Sequence, residues 1–305
     1  MPLCLEGCGG LVSLEPWRYQ RGPLNILVGD DGYRVVESCP DGCDRLDCGG
    51  LLAAPCPFDA LAATPRRAEW LDELLEEPGV VDARLVDARV GLGYCGVMVY
   101  GRVEGEPERR VVVVEPRGLV TPSGRLLGSG RPLVAAVAVS RRSVYGFKRR
   151  TGKFPVEWLA AEGLLEGGSL VVGPWVASWE VELLRGSGAL LAVSPVTQPL
   201  LRGGPPPRPA YRGVLAAATL AHPVSPWLAA YTLLVLYAAV YWGESPAEEV
   251  LASLVRGWRL AGVREPPLTL LEAPGFDGSP SSLILSLPRP RYAVWPGGVV
   301  ERLPG

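Results

Sequence analysis

Cys39-Pro-Asp-Gly-Cys43-Asp-Arg-Leu-Asp-Cys48-Gly-Gly-Leu-Leu-Ala-Ala-Pro-Cys56-Pro57-Phe58-Asp59-Ala60-Leu61 holds four of the chain's seven cysteines. Cys4 and Cys8 bring the total in the first fifty-six residues to six. The chain has a single histidine, so thiolates are its main soft donors. Four converging thiolates hold Zn²⁺ or an iron–sulfur core. Loops rich in Gly and Pro wrap such a core and turn backbone N–H groups toward its sulfurs.

Working outward, Cys4-x3-Cys8-Gly-Gly precedes a β-hairpin expected over Leu24–Val36, with its turn at Asp31-Gly32. The hairpin delivers Cys39. This pattern has the outline of a loosened zinc ribbon with ligands Cys4, Cys8, Cys39 and Cys43. The competing set is Cys39, Cys43, Cys48 and Cys56 around iron. Disulfides are the third reading, since thermophile proteins keep them even in the cytosol. Cys95 lies apart in the apolar run Tyr94–Tyr100 and reads as a buried small hydrophobe.

Cys56-Pro57, followed by Ala60 and Leu61, resembles the last cysteine of a bacterial-type ferredoxin motif. The intervals between Cys39, Cys43, Cys48 and Cys56 are three, four and seven residues, where ferredoxins have two, two and three. The resemblance implies a [4Fe–4S] cluster and a role as electron carrier or redox subunit of a larger complex.

The 305 residues are 48% hydrophobic with net charge −2. That permits a large core or two and excludes a global basic field drawing the chain to nucleic acid. Lys148 and Lys153 are the only lysines; the arginine, Gly and Pro bias fits a GC-rich, thermophilic source. The start, Met-Pro-Leu-Cys, has no secretory pattern, so a cytoplasmic location is expected. Gly213–Gly243 carries no formal charge. Pro223 and Pro226 break it, and the uninterrupted part, Trp227–Trp242, is 16 residues against the roughly 20 a span needs. It reads as a buried helix or a partner interface rather than a membrane segment.

The expected class is α+β: a cysteine-rich metal or cluster module over 1–62, an α+β sheet domain over 63–200, and a helical part with a Pro-rich tail over 213–305. A helix follows Thr64 and ends at Gly79. Val-rich runs at 80–90, 94–103, 109–115, 133–140, 169–172, 175–184 and 189–193 read as strands, with a helix near 155–164. Gly203–Pro209 reads as a stiff linker, and Ser245-Pro-Ala-Glu248 as a capping box.

Residues 141–154 carry six positive charges and no acid: Arg141, Arg142, Lys148, Arg149, Arg150 and Lys153, interleaved with Tyr145 and Phe147. Such a segment suits phosphate, nucleotide or nucleic-acid contact, or a solvated loop paired with nearby acids. Asp72/Glu73 and Glu76/Glu77 fall on the polar face of the first helix and read as solvated. His222 suits a helix end or core position, and a multi-histidine metal site is nearly excluded. No Gly-x-Ser-x-Gly, Walker or dinucleotide fingerprint occurs. Three functions are therefore expected: an iron–sulfur electron carrier, a zinc-stabilised nucleic-acid-binding protein, and a scaffold subunit using Trp227–Trp242.

Overall fold

Phe58–Ala62 is buried along its whole length, as a strand covered on both faces must be. It pairs in parallel with Gly96–Val99, which pairs in parallel with Val112–Val114. Gly118–Val120, Leu133–Ala135, Ser169–Val172, Leu190–Val193 and Leu215–Ala217 form a second parallel series in chain order. A parallel bridge, Ala62 to Leu220, joins the last strand to the first. The chain thus curls its parallel strands into a barrel, seen in a computed structural model that describes residues 2–201, 205–241 and 246–304.

The helical layer is uneven. Arg141–Thr151 and Pro155–Ala161 cross between Leu133–Ala135 and Ser169–Val172, and Ser178–Ser187 crosses to Leu190–Val193. Val112–Val114 and Gly118–Val120 follow each other with only three residues between them. Alanines crowd the barrel strands, among them Ala60, Ala62, Ala135, Ala192, Ala216 and Ala217, all buried. Small side chains let the curled strands pack their interior at native density.

A second sheet takes strands from both chain ends. Leu3–Leu14 pairs antiparallel with Trp17–Gly29, which pairs with Gly32–Val36 through a turn at Asp30-Asp31, one residue before the expected Asp31-Gly32. Leu52–Pro55 lies between Leu3–Leu14 and Leu268–Glu272. The α+β expectation of a separate cysteine-rich cluster module is therefore corrected. The first cysteines belong to a mixed sheet, and the Cys56 segment leads into a barrel strand. Parallel pairing has no local sequence signature, because its partners lie tens of residues away.

Three disulfides replace the expected cluster: Cys4–Cys39, Cys8–Cys48 and Cys56–Cys95. Cys56 and Cys95 meet because they lie two residues and one residue before neighbouring parallel strands, in which Phe58 stands opposite Gly96. The Phe58 ring fills this seam beside Trp258, with ring centroids 5.0 Å apart. A Cβ on Gly257 would lie 2.2 Å from the Phe58 ring, and one on Gly96 2.4 Å. Gly257→Ala is therefore expected to cost about 1–3 kcal/mol of stability, read from chemical denaturation.

The seam is closed beneath by a buried ion pair. Arg89 Nε donates to Asp59 Oδ2 at 2.8 Å, and Thr219 gives the carboxylate its hydroxyl at 2.6 Å and its backbone N–H at 2.8 Å. Arg89 also donates to the carbonyls of Leu220 and Leu85. Burial pushes the Asp59 carboxyl above the ordinary carboxylate range, while Arg89 and the Thr219 donors pull it back.

Candidate ligand cleft

Parallel barrels carry their sites at the C-terminal ends of the strands, where the following loops converge. Here those loops enclose a cleft of roughly 1150 Å³. Its walls come from Trp70–Glu76 after the first strand, Pro122–Ser123 after Gly118–Val120, Ser140–Arg150 after Leu133–Ala135, and Trp175 after Ser169–Val172. Gly173 makes the last of these placements. Its φ is +117°, and a Cβ there would lie 2.3 Å from the Ala138 carbonyl oxygen. Only glycine permits that approach. Trp175 N then bonds the same carbonyl at 2.9 Å, leaving the indole 39% exposed at the cleft.

The basic segment is a helix, Arg141–Thr151, rather than a loop. Ser140 caps it by accepting from Ser143 N at 3.0 Å, Ser143 Oγ accepts from Ser140 N, and Gly152 ends it in the left-handed region. Val144 and Phe147 face the core, with Phe147 edge-on to Trp158. The segment therefore divides. Arg141, Arg142, Tyr145, Arg149 and Arg150 line the cleft. Phe147 is buried, Lys148 sits over the Phe154 ring at 3.9 Å, and Lys153 lies outside the lining.

Lys148, Arg149 and Arg150 suit the helix's last turn. Arg141 and Arg142 do not suit its first turn, where the peptide dipoles already present positive charge and the helix itself contributes no acid; the carboxylate at that end is Asp72, bonded to the Ser140 cap. Arg150 donates to the Ser123 carbonyl at 3.0 Å. Arg141, Arg142 and Arg149 form no ion pair with any described residue.

The opposite wall is acidic, on and beside the short helix Leu71–Leu75. Of the acids read as solvated, Glu73 and Glu77 are exposed, while Asp72 and Glu76 are half-buried and engaged. Glu73 accepts from the Glu69 and Trp70 backbone, and Glu76 accepts from Ser123 Oγ at 2.5 Å and from Ser123 N at 3.0 Å. Asp72 Oδ2 accepts from Ser140 Oγ at 2.9 Å. Its Oδ1 is buried without a hydrogen-bond partner among the described residues. The sequence reading gave Asp72 only a solvated role and gave Trp70 and Trp175 no place at the site. The only available signal was the clustering of Trp70 with acids before a Val-rich region.

The cysteine sets do not assemble. Of Cys39, Cys43, Cys48 and Cys56, three are joined to Cys4, Cys8 and Cys95 respectively. Of Cys4, Cys8, Cys39 and Cys43, only Cys43 is a free thiol, donating to the Pro40 carbonyl at 3.0 Å. Among the described residues no group of three or more His, Cys, Asp or Glu could hold a metal ion. His222 is exposed, with Nδ1 3.1 Å from Thr197 Oγ1. Trp242 and Ser245 lie outside the described residues, as do Gly203 and Gly204 of the expected linker. The rest of the apolar run forms Pro226–Tyr241, whose inner face packs Trp227, Leu233 and Tyr237 into the core. No described helix is long and apolar enough to cross a membrane.

Neither a protein-family model nor a curated protein matches this chain. Solved structures do. An adenosine deaminase from Xanthomonas campestris with bound zinc aligns at TM-score 0.73 and 14% identity, covering 99% of this chain and 93% of that one. An amidohydrolase from Brucella melitensis aligns at 0.69 and 12%, covering 99% and 94%. A variant of atrazine chlorohydrolase from Arthrobacter aurescens TC1, complexed with zinc and atraton, aligns at 0.73 and 13%, covering 99% and 95%. The fold is that of amidohydrolase-type barrels.

These comparisons overturn the ferredoxin resemblance and the electron-carrier reading, since the similar structures are hydrolases by name and the cysteines are paired. The zinc-stabilised nucleic-acid-binding and scaffold readings gain no support either. Of the two cofactors expected, [4Fe–4S] finds none, and zinc occurs in two of the similar structures.

Proposed function

We propose that this chain is a ligand-binding protein on a hydrolase-type barrel, taking a small anionic molecule in the cleft at the strand ends. The observation that carries the reading is Arg141, Arg142 and Arg149. These three guanidiniums form no ion pair with any described residue, although an acidic wall faces them across the cleft, and they sit on a helix whose N-terminus opens into it. Stability alone does not favour cations there. Violations of a local rule without a stabilising return concentrate at functional sites. A bound anion supplies the missing charge, accepting from guanidinium forks and from the backbone amides of the first turn.

Zinc, present in two of the similar proteins, needs three or four converging donors. The first barrel strand ends here in Ala62 and Ala63, and its one carboxylate, Asp59, is wholly engaged by Arg89 and Thr219. The residues at this mouth do not fit a zinc centre. Ser140 and Ser143 hold each other in the helix cap, which leaves neither hydroxyl poised as a nucleophile. The chemistry the cleft offers is recognition.

Calorimetric titration with inorganic phosphate tests this. Binding is expected, weakening as ionic strength rises. Replacing Arg142 or Arg149 by alanine is expected to weaken it about tenfold or more, since a hydrogen bond to a charged group contributes about 1.5–3 kcal/mol. Phosphate affinity unchanged in both variants would remove the proposal.

A further inference from the structure

We propose that two copies of this chain pair about a two-fold axis through the outer face of helix Pro226–Tyr241. The inference is independent of the anion cleft and concerns assembly alone.

The helix is apolar on every side. Its inner face, with Trp227, Leu233 and Tyr237, fills the core. Its outer face is no more polar. Leu228, Tyr231 and Val235 are 42%, 37% and 45% exposed, and Ala238 is exposed beside them. A helix lying on a barrel turns its charges outward, as Ser178–Ser187 does with exposed Glu182 and Arg185 over buried Val181 and Leu184. Pro226–Tyr241 has no charged residue to turn.

The spacing of the open side chains says what covers them. Leu228, Tyr231, Val235 and Ala238 follow one another at intervals of three, four and three residues, which is the seam of one helix laid along another. A lipid surface is the poorer match. Helices that lie on membranes carry Lys or Arg beside the apolar stripe, and residues 213–243 contain neither. An uncharged seam meets its own copy without like-charge repulsion, and a two-fold axis lets one patch serve as both halves of the contact.

The extent of the face is sufficient. Its 16 residues run about 24 Å. Val240 continues it, and Leu285 is 60% exposed on the helix Pro280–Leu285 packed against it. The apolar surface left open is roughly 500 Å², among the larger patches a monomer exposes. Two such patches bury about 1000 Å² together, the lower bound for a specific interface. A dissociation constant in the micromolar range suits that size.

Sedimentation equilibrium on the full chain tests this. A species of twice the 32.5 kDa chain mass is expected, with affinity little changed between low and high salt, because no ion pair enters the seam. Val235→Glu sets an unpaired carboxylate into the seam of each copy and is expected to raise the dissociation constant a hundredfold or more. Tyr231→Ala removes the largest side chain of the seam and is expected to raise it about tenfold. Both positions are exposed in the single chain, and the milder variant keeps the test open if the charged one folds poorly. Leu126→Glu, at a side chain 46% exposed on the strand Leu126–Ser129, is expected to leave the association unchanged. A single-chain mass at every concentration reached would overturn the inference. Parental affinity in Tyr231→Ala and Val235→Glu, or an equal loss in Leu126→Glu, would overturn it as well. A chain that stays single in buffer yet binds phosphatidylcholine vesicles would overturn it in favour of a lipid surface.

Discussion

Arg89→Met is expected to lower the unfolding free energy by about 3–5 kcal/mol, the usual cost of removing one partner from a buried ion pair. Both side chains are almost completely buried, Arg89 at 1% and Asp59 at 0% exposure. The guanidinium also satisfies the carbonyl of Leu85, one turn back on its own helix, and that of Leu220, beside the bridge to Ala62. Without it, the Asp59 carboxylate keeps its Thr219 donors but loses its counter-charge. The deficit depends on pH. Burial already holds the Asp59 carboxyl above its ordinary value of 3.8, and losing Arg89 raises it further. Between the unfolded and folded values the folded state retains a proton that the unfolded chain has released, so stability falls as pH rises through that window. Below the unfolded value the carboxyl is neutral in both states, and the gap between Arg89→Met and the parent should narrow. Denaturant unfolding at acid and neutral pH reads both effects. An equal deficit at every pH would mean that Arg89 acts by packing alone.

Removal of the Cys56–Cys95 bridge, as a double alanine variant, is expected to have an effect of similar size. The bridge closes a loop of 39 residues, for which the chain-entropy argument gives roughly 4 kcal/mol, within a usual range of about 2–5 kcal/mol. Both sulfurs are buried at the start of neighbouring barrel strands, so small cavities add to the loss. Thermal unfolding of the oxidised parent and the variant gives the difference. Titration of the denatured, unreduced parent should find one free thiol, Cys43.

What the sequence shows plainly is what short-range physics encodes. The hairpin expected over Leu24–Val36 is present, with its turn at Asp30-Asp31 rather than Asp31-Gly32. A helix occurs at Pro155–Ala161, as expected near 155–164, but the helix expected from Thr64 to Gly79 shrinks to Leu71–Leu75 with Trp70 as its cap, and Thr64 Oγ1 donates to the Val80 carbonyl instead. Phe58–Ala62 was harder. A short apolar run after Cys-Pro suits either a buried parallel strand or a turn around a cluster, and only its partners decide. Those partners, Gly96–Val99 and the bridge at Leu220, lie far along the chain.

Cysteine pairing has the same difficulty. The bonded pairs are 35 to 40 residues apart, while the eye groups sulfurs that are close in sequence. Trp175–Leu184 reads as a strand from its Val and Trp content, yet helix Ser178–Ser187 forms there because its buried residues, Val181 and Leu184, fall on one face. The basic helix was hidden because Gly146 interrupts it and only Val144 and Phe147 are buried. Its Ser140 cap and Gly152 stop were legible signals. Half of the candidate site, the arginines and Tyr145, was therefore visible as unusual chemistry. The facing Asp72 and Trp175 were not, because barrel closure brings them there.

Crystals grown or soaked in phosphate give the most direct measurement. Density for the anion is expected between Arg141, Arg142 and Arg149, against the first-turn amides of the helix that Ser140 caps. Phosphate found only elsewhere, for example in the smaller depression beside Arg291 and Arg302, with those three guanidiniums bare, would contradict the account.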